Sequence, residues 1–558
     1  MIVSYSVCLL GFAGLAASLL IPQDLEVRLD RVASSPQAVA LMHQLVQRVD
    51  KEFEESWNEA GLESADSAPT LAIMRRASLA LHGTIPSLQE IRTFAGSTDP
   101  AQLSDPPALS DKTDLIDRYV RYLLSDRRYA DYVSERLARV YVGVEEGPFI
   151  LYRRRRFQLW LSDQLNQNRP YDELCRELIS GNGVWTSDPQ VNFITVTITD
   201  DNGGRPDIAK LAGRTSRAFL GMRLDCLQCH NDNLGTMDLS PDGVGREGLQ
   251  TDFHQFAAFF SQASVSLGGI QDDQEHYSYT YLGDESETLV PPMYPFNHNL
   301  TVPQGTRRQQ LAEWITHREN RAFSRAAVNR VWAIIFGKPL TDSVDDIPLT
   351  GPFPPGLELL ATDFADNGYN LKRLIQVMMR LQVFRNDSRA AFTVTGQHEN
   401  AWSVFPLVRL RPDQVAGGIA QSATVRTINA DVSYTVRQQQ QADIDAFVKR
   451  YGDTGEDEFE DRGGTITQRL LMMNGRYVKE RTRTSTDSNG SARIAEITED
   501  NKDAIELTYL CVLTRLPSET ELHYFLLSFK DVNESERRRK LEDLFWTLVN
   551  STEFSWNH

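Results

Sequence analysis

At 558 residues the chain is longer than one hydrophobic core usually serves, and its apolar fraction of 41% and charged fraction of 24% exclude wholesale disorder. A formal net charge of -18 excludes general nucleic-acid binding, which needs a cationic surface to displace counterions. Five cysteines are too few for a disulfide-stapled scaffold.

The first element is "SVCLLGFAGLAASLLI", Ser6 to Ile21, an uncharged apolar run followed by Pro22 and a polar segment. Its length suits the apolar part of a signal peptide better than a membrane span of about 20 residues, and Gly14-Leu15-Ala16 offers a small-x-small cleavage pattern. No Lys or Arg precedes it. Residues 1–22 are read as a signal peptide or an N-terminal anchor. That reading implies export to the periplasm or cell surface, with membrane association through the N-terminus if the segment is kept.

Further along, the basic cluster "YRRRRF" (Tyr152 to Phe157) precedes Leu159, Trp160 and Leu161. It predicts a solvated helix start paired with nearby acids rather than an anion-binding patch. Cys175 and Cys511 sit among apolar neighbours and read as small buried hydrophobes. "NFITVTITD" alternates Ile194, Val196 and Ile198 with threonines, a period of two that predicts a hairpin piece or an extended loop. After Pro206, the residues Ile208, Leu211, Ala212, Thr215, Phe219 and Met222 recur at helical spacing and predict a helix running straight into the next motif.

That motif is "DCLQCHND", in which Cys226, Cys229 and His230 form Cys-x-x-Cys-His. Covalent haem attachment needs two thiols spaced to reach both vinyl groups and a histidine directly after them to ligate the iron, and this pattern supplies all three. Zinc is the rival reading. It wants four ligands, and Asp232 or His254 would have to complete the set. A redox dithiol expects a βαβ context that the sequence lacks, and a disulfide between Cys226 and Cys229 would close a tight, strained loop. For a haem, Met237, His254, Met293 and His298 follow at usable distances as sixth-ligand candidates. A methionine there would raise the reduction potential, whereas an open position would admit small molecules.

Residues 263–305 carry paired glycines, acidic runs and "VPPMYP" without sustained periodicity, and read as a linker between a first domain over 23–262 and a second over 306–558. In the second domain, Val328, Val331, Trp332 and Ile335 share a helical face that Gly337 stops. Asn370 is a candidate N-cap for the stripe of Leu371, Leu374, Ile375 and Met378. "RYGDTGEDEFEDRGG", Arg450 to Gly464, reads as a charged loop, and "LEDLFWTLVNSTEF" as the closing helix.

Taken together, "SRAFLGMRLDCLQCHND…DFHQFAAFF", "FQLWLSDQLNQNRPYDELCRELISGNG", "ASLALHGTIPSLQEIRTF" and "LAEWITHRENRAFSRAAVNRVWAIIFGKPL" resemble the blocks of a planctomycete cytochrome-like family. That family is made of two consecutive domains of unknown function, a cysteine-motif domain followed by an NRVW-containing domain. The similarity runs in the family's own order from about residue 50 to the C-terminus. It implies a cytochrome-like, exported protein and supplies no reaction and no catalytic residues. The chain departs from the pattern at Asp232 and Gly356, where relatives tend to carry histidines. If those histidines share a metal site, this chain lacks it.

The resulting expectation is a mainly α, multi-helical protein of two domains with a long linker and little β structure. Its function would be haem-c-dependent electron transfer, with Cys226 and Cys229 as thioether anchors and His230 as proximal iron ligand. A redox protein or a surface polymer would be its partner. The competing expectation is a non-catalytic cell-surface binding or assembly protein with structural zinc or a disulfide at the same residues. No general acid, base or nucleophile constellation stands out, so no enzymatic class is assigned.

Overall fold

A computed structural model describes residues 36–95, 109–144, 152–199, 203–232, 235, 237–240, 245–300, 302, 304–428, 434–452, 459, 464–484 and 489–558. The segment 1–22 and most of the charged loop at 450–464 lie outside them. Of the described residues 60% are helical and 5% strand, so the mainly α, multi-helical expectation holds. No described helix is long and apolar enough to cross a membrane.

Helices α1 (Pro36–Ala60), α2 (Thr70–His82), α3 (Tyr171–Ser180) and α4 (Ile208–Thr215) precede the cysteine segment, and α5 (Gln250–Ala257) follows it. Two short hairpins come next, β1 (Ala263–Ser266) with β2 (Gly269–Asp272), and β3 (Ser278–Tyr279) with β4 (Thr288–Leu289). The second half contributes α6 (Arg307–Ile315), α7 (Arg321–Phe336), α8 (Leu371–Met378), strand β5 (Val408–Arg409), α9 (Glu534–Val549) and strand β6 (Trp556–Asn557), which pairs with β5.

Helix α7 carries apolar residues on every side, and only Arg321 and Arg325 among its sixteen residues escape full burial. Trp332 stacks on Phe336 at 4.1 Å, reaches Phe53 of α1 at 6.0 Å and meets Trp402 edge-on at 5.2 Å. Gly337 ends the helix in the left-handed region (φ 85°), where its N–H donates to the Ala333 carbonyl. The Asn370 cap forms as expected, its side chain accepting from the Arg373 amide at 2.9 Å. Around α7 one apolar core runs continuously from Met42 to Phe405. A second core joins Leu79, Ile85, Leu88 and Ile91 to residues from Leu410 to Phe554. Helix α2 serves both. Arg75 donates to the carbonyls of Val512 and Phe554, and Arg76 to those of Phe384 and Asn386, so two buried guanidiniums tie its face to distant chain.

The "NFITVTITD" alternation does not make an extended segment. Pro189–Val191 is a 3₁₀ turn and Asn192–Thr195 a helical one. Asn192 explains the difference, because its amide donates to the Trp185 and Pro189 carbonyls while its oxygen accepts from the Arg153 amide. These local bonds outcompete the strand preference of the β-branched residues. "YRRRRF" does start a helix, and Arg154 pairs with Glu135 at 2.8 Å.

Residues 263–300 carry the two hairpins and pack against the first core. Tyr294 stacks on Trp314 of α6 at 4.8 Å, with Phe296 against the same ring. Ile270 exchanges backbone hydrogen bonds with Gly183, and a Cβ on Gly269 (φ 96°) would come within 2.0 Å of the Gly183 carbonyl oxygen. Arg308, fully buried, holds the junction. It donates to Asp272 at 2.6 Å, to the Ile179 and Gly181 carbonyls at the C-terminal end of α3, and to Asn182. Arg308→Met should cost about 3–5 kcal/mol, because it leaves the Asp272 carboxylate buried and unpaired. Equilibrium denaturation of the two proteins measures it, and a loss under about 1 kcal/mol would refute the role given to Arg308.

Candidate functional site

The cysteine segment begins where α4 changes its winding. Asp207 caps α4 by accepting from the Lys210 amide, and Leu211, Ala212 and Thr215 face the core. The expected straight run into the motif does not occur. Ser216–Leu220 widens into a π turn, Gly221 adopts a left-handed φ of 63°, and Leu224–Gln228 tightens into a 3₁₀ turn. Phe219 and Met222 stay buried, so the apolar pattern was sound while the backbone was not one helix. The break has a cause in the second half of the chain. The Ile347 amide donates to the Gly221 carbonyl at 2.8 Å, and a Cβ on Gly221 would meet Ile347 at 2.9 Å and Ala326 at 3.2 Å. Asp345 pairs with Arg223 at 2.9 Å and with Arg217 at 3.5 Å, while Arg217 also grips Asp225 at 2.7 Å.

A 3₁₀ helix repeats every three residues, so positions i and i+3 lie one above the other. Leu224 and Leu227 are buried on one side of the turn, and Cys226 and Cys229 are exposed on the other. Both thiols therefore share one outward face, and neither is in a disulfide. Burial of its surroundings and the neighbouring Asp225 push the Cys226 thiol up, against the opposing pull of Arg217 and Arg223, so at neutral pH it is a thiol rather than a thiolate. His230 is exposed beside them, with Nδ1 2.7 Å from the Asn231 carbonyl oxygen. A carbonyl only accepts, so Nδ1 carries the proton and the neutral ring keeps its lone pair on Nε2.

Behind the turn the Gln228 carbonyl accepts twice, from His254 Nε2 and from Gln250 Nε2, each at 3.0 Å. His254 is buried in α5. Its Nδ1 accepts from the Tyr277 hydroxyl at 2.8 Å, and its ring stacks on Tyr279 at 3.5 Å with the Tyr281 edge at 5.7 Å. Both of its nitrogens are engaged by the protein. Burial holds its pKa below the ordinary value of 6.5. Asp232 accepts from the Met237 amide at 2.6 Å and its own amide donates to the Gly248 carbonyl, so it braces the loop.

Of the other sequence candidates, Met237 is half-buried within that loop. Met293 is exposed, its amide on the Gln255 carbonyl of α5, and His298 is exposed in a 3₁₀ turn. Gly356 lies against α1, its N–H donating to Glu52 at 2.7 Å. Among the described residues no group of three or more His, Cys, Asp and Glu side chains is gathered as a metal site. The sequence did not single out Gln228, Gln250, Tyr277, Tyr279 or Asp345. The alternating tyrosines of "YSYTYLG" were the one available signal, an aromatic stripe at strand spacing.

Residues 48–264 match the family described as PSCyt2, protein of unknown function (DUF1549), and residues 307–527 match PSD1, protein of unknown function (DUF1553). No curated protein and no solved structure matches the chain.

The buried His254 makes the turn sensitive to acid. An unfolded chain binds the imidazole proton below about pH 6.5, whereas the folded ring resists it to lower pH, so stability is lost as pH falls through that range. Amide hydrogen exchange over Cys226–Asp232, corrected for its intrinsic pH dependence, should accelerate between about pH 7 and pH 5. His254→Gln keeps a donor without a titrating ring and should abolish the acceleration. Equal pH dependence in both proteins would exclude His254 as its source.

Proposed function

We propose that this chain, with its two consecutive domains of unknown function, is an exported haem-c protein that transfers electrons. The observation that carries the reading is the shared outward face of the Cys226 and Cys229 thiols beside a His230 ring whose Nδ1 is tethered and whose Nε2 is left for a metal. The tethered second nitrogen is the arrangement that fixes tautomer and orientation in histidine ligands generally.

Cys226 and Cys229 would hold the group and His230 would ligate its iron. Each thiol would add across one vinyl double bond, sulfur to one carbon and hydrogen to the other, so nothing would leave and no oxidant would be consumed. Cys226, held as a thiol, would bring that hydrogen with it. A haem held this way supplies reversible one-electron transfer. The chain's own part is to keep the turn rigid. His254 and Gln250 fix Gln228 from behind, and Arg223 on Asp345 fixes the turn's entry. The apolar run from Ser6 to Ile21 supports the same compartment, since haem c is attached outside the cytoplasmic membrane. The net charge of -18 suits a redox partner that presents a basic face.

Expression of the full chain in a host that matures haem c, with export, should give an intact mass increased by one haem and sharp reduced absorption bands. Cys226→Ala with Cys229→Ala should abolish both. A properly matured sample at the bare polypeptide mass would overturn the proposal. Stoichiometric zinc lost in the same double variant would establish the structural-metal reading instead.

A further inference from the structure

Five helices meet beside α7 without filling the space between them. Leu81 comes from α2, Val133 from the helix Arg127–Val142, Ile375 from α8, and Val331 and Ile334 from α7 itself, while Tyr171 of α3 completes the wall. All of these residues are buried, so the space lies inside the core. It measures about 20 Å³, room for a water-sized molecule. Ala327 also lines it, a methyl group among longer side chains. The wall gives water nothing to hold, although a buried water needs about two to four polar partners. Tyr171 engages its hydroxyl with that of Tyr141 at 2.8 Å, and Arg330 turns Nη2 to the Arg217 carbonyl at 3.2 Å. Tyr129 and Arg330 border the space as well, but the Tyr129 hydroxyl and Arg330 Nε are covered by other atoms and have no surface open to it. A dry apolar void leaves its lining atoms without dispersion partners on one side, and an apolar body that fits restores those contacts.

We infer that this space is a binding site for a small uncharged apolar molecule, of the class of dioxygen or xenon. The wall offers an ion no polar contact, which excludes charged ligands. The volume excludes larger hydrocarbons. Side chains in packed cores still change rotamer, which admits a molecule of this size without a permanent channel. The site is independent of the haem reading, yet it lies close behind the cysteine segment. Arg330 on its wall holds the Arg217 carbonyl of the π turn, and Arg217 pairs with Asp225 beside Cys226.

Methyl NMR of the full chain, titrated with dissolved xenon, tests the site. The methyls of Leu81, Val133, Val331, Ile334 and Ile375 should shift and saturate, while those of Ile505, Val512 and Leu541 in the second core stay fixed. Dissolved dioxygen, which is paramagnetic, should broaden the same first group selectively. Ala327→Val narrows the space and should abolish both responses. Because that change can overpack the core, Ile375→Val supplies the opposite test. It widens the space, so its wall methyls should saturate at a lower xenon concentration than those of the wild type. Wall methyls in the wild-type chain that respond no more than those of the second core, or an ordered water found in the space, would overturn the proposal.

Discussion

A helix with fourteen of its sixteen residues buried has to be surrounded, and that requirement organises this protein. Helix α7 comes from the second half of the chain, yet it lies inside a core that begins at Met42. Trp332 meets Phe53 from α1 on one side and Trp402 on another, so residues 349 positions apart in sequence wrap the same ring. The cysteine segment inherits its rigidity from this arrangement. Gly221 rests on Ala326 of α7, and the following Asp345 and Ile347 fix the two residues that lead into the turn. The outward face of Cys226 and Cys229 is therefore mounted on packed core rather than on a free loop.

Much of this was legible in the sequence because it is local. The stripes of Val328, Val331, Trp332 and Ile335 and of Leu371, Leu374, Ile375 and Met378 gave their helices and buried faces, and Asn370 gave a cap. Cys175 and Cys511 were legible as buried hydrophobes, and burial pushes the Cys511 thiol up to about 12. The failures share a physical origin in contacts that a local window cannot contain. Asn192 redirects a β-branched stretch through a bond to Arg153, thirty-nine positions earlier. Gly221 breaks α4's continuation because Ile347 occupies the space beside it.

At the site itself the sequence displayed the three reactive groups but not their mounting. The spacing of Cys226 and Cys229 suits one face of either helix type, but a 3₁₀ turn sets the two positions one above the other where an α-helix would offset them by about 60°. His254 illustrates the opposite case. By position it is a fair ligand candidate, yet its partners Gln228 and Tyr277 lie on either side in sequence and close around it only in the fold. A histidine that accepts from one neighbour and donates to another is a structural strut, and no pattern of spacing distinguishes it from a ligand.

The continuity of the first core from Met42 to Phe405 bears on the order in which the chain becomes a protein. A ribosome releases α1 and α2 long before α7, so the early helices emerge with an apolar surface whose covering has not yet been synthesised. Stable closure waits on contacts of high sequence separation, and the nascent polypeptide stays loosely collapsed until then. Such a chain remains threadable through a narrow channel for most of its synthesis, and it needs protection from aggregation for the same interval.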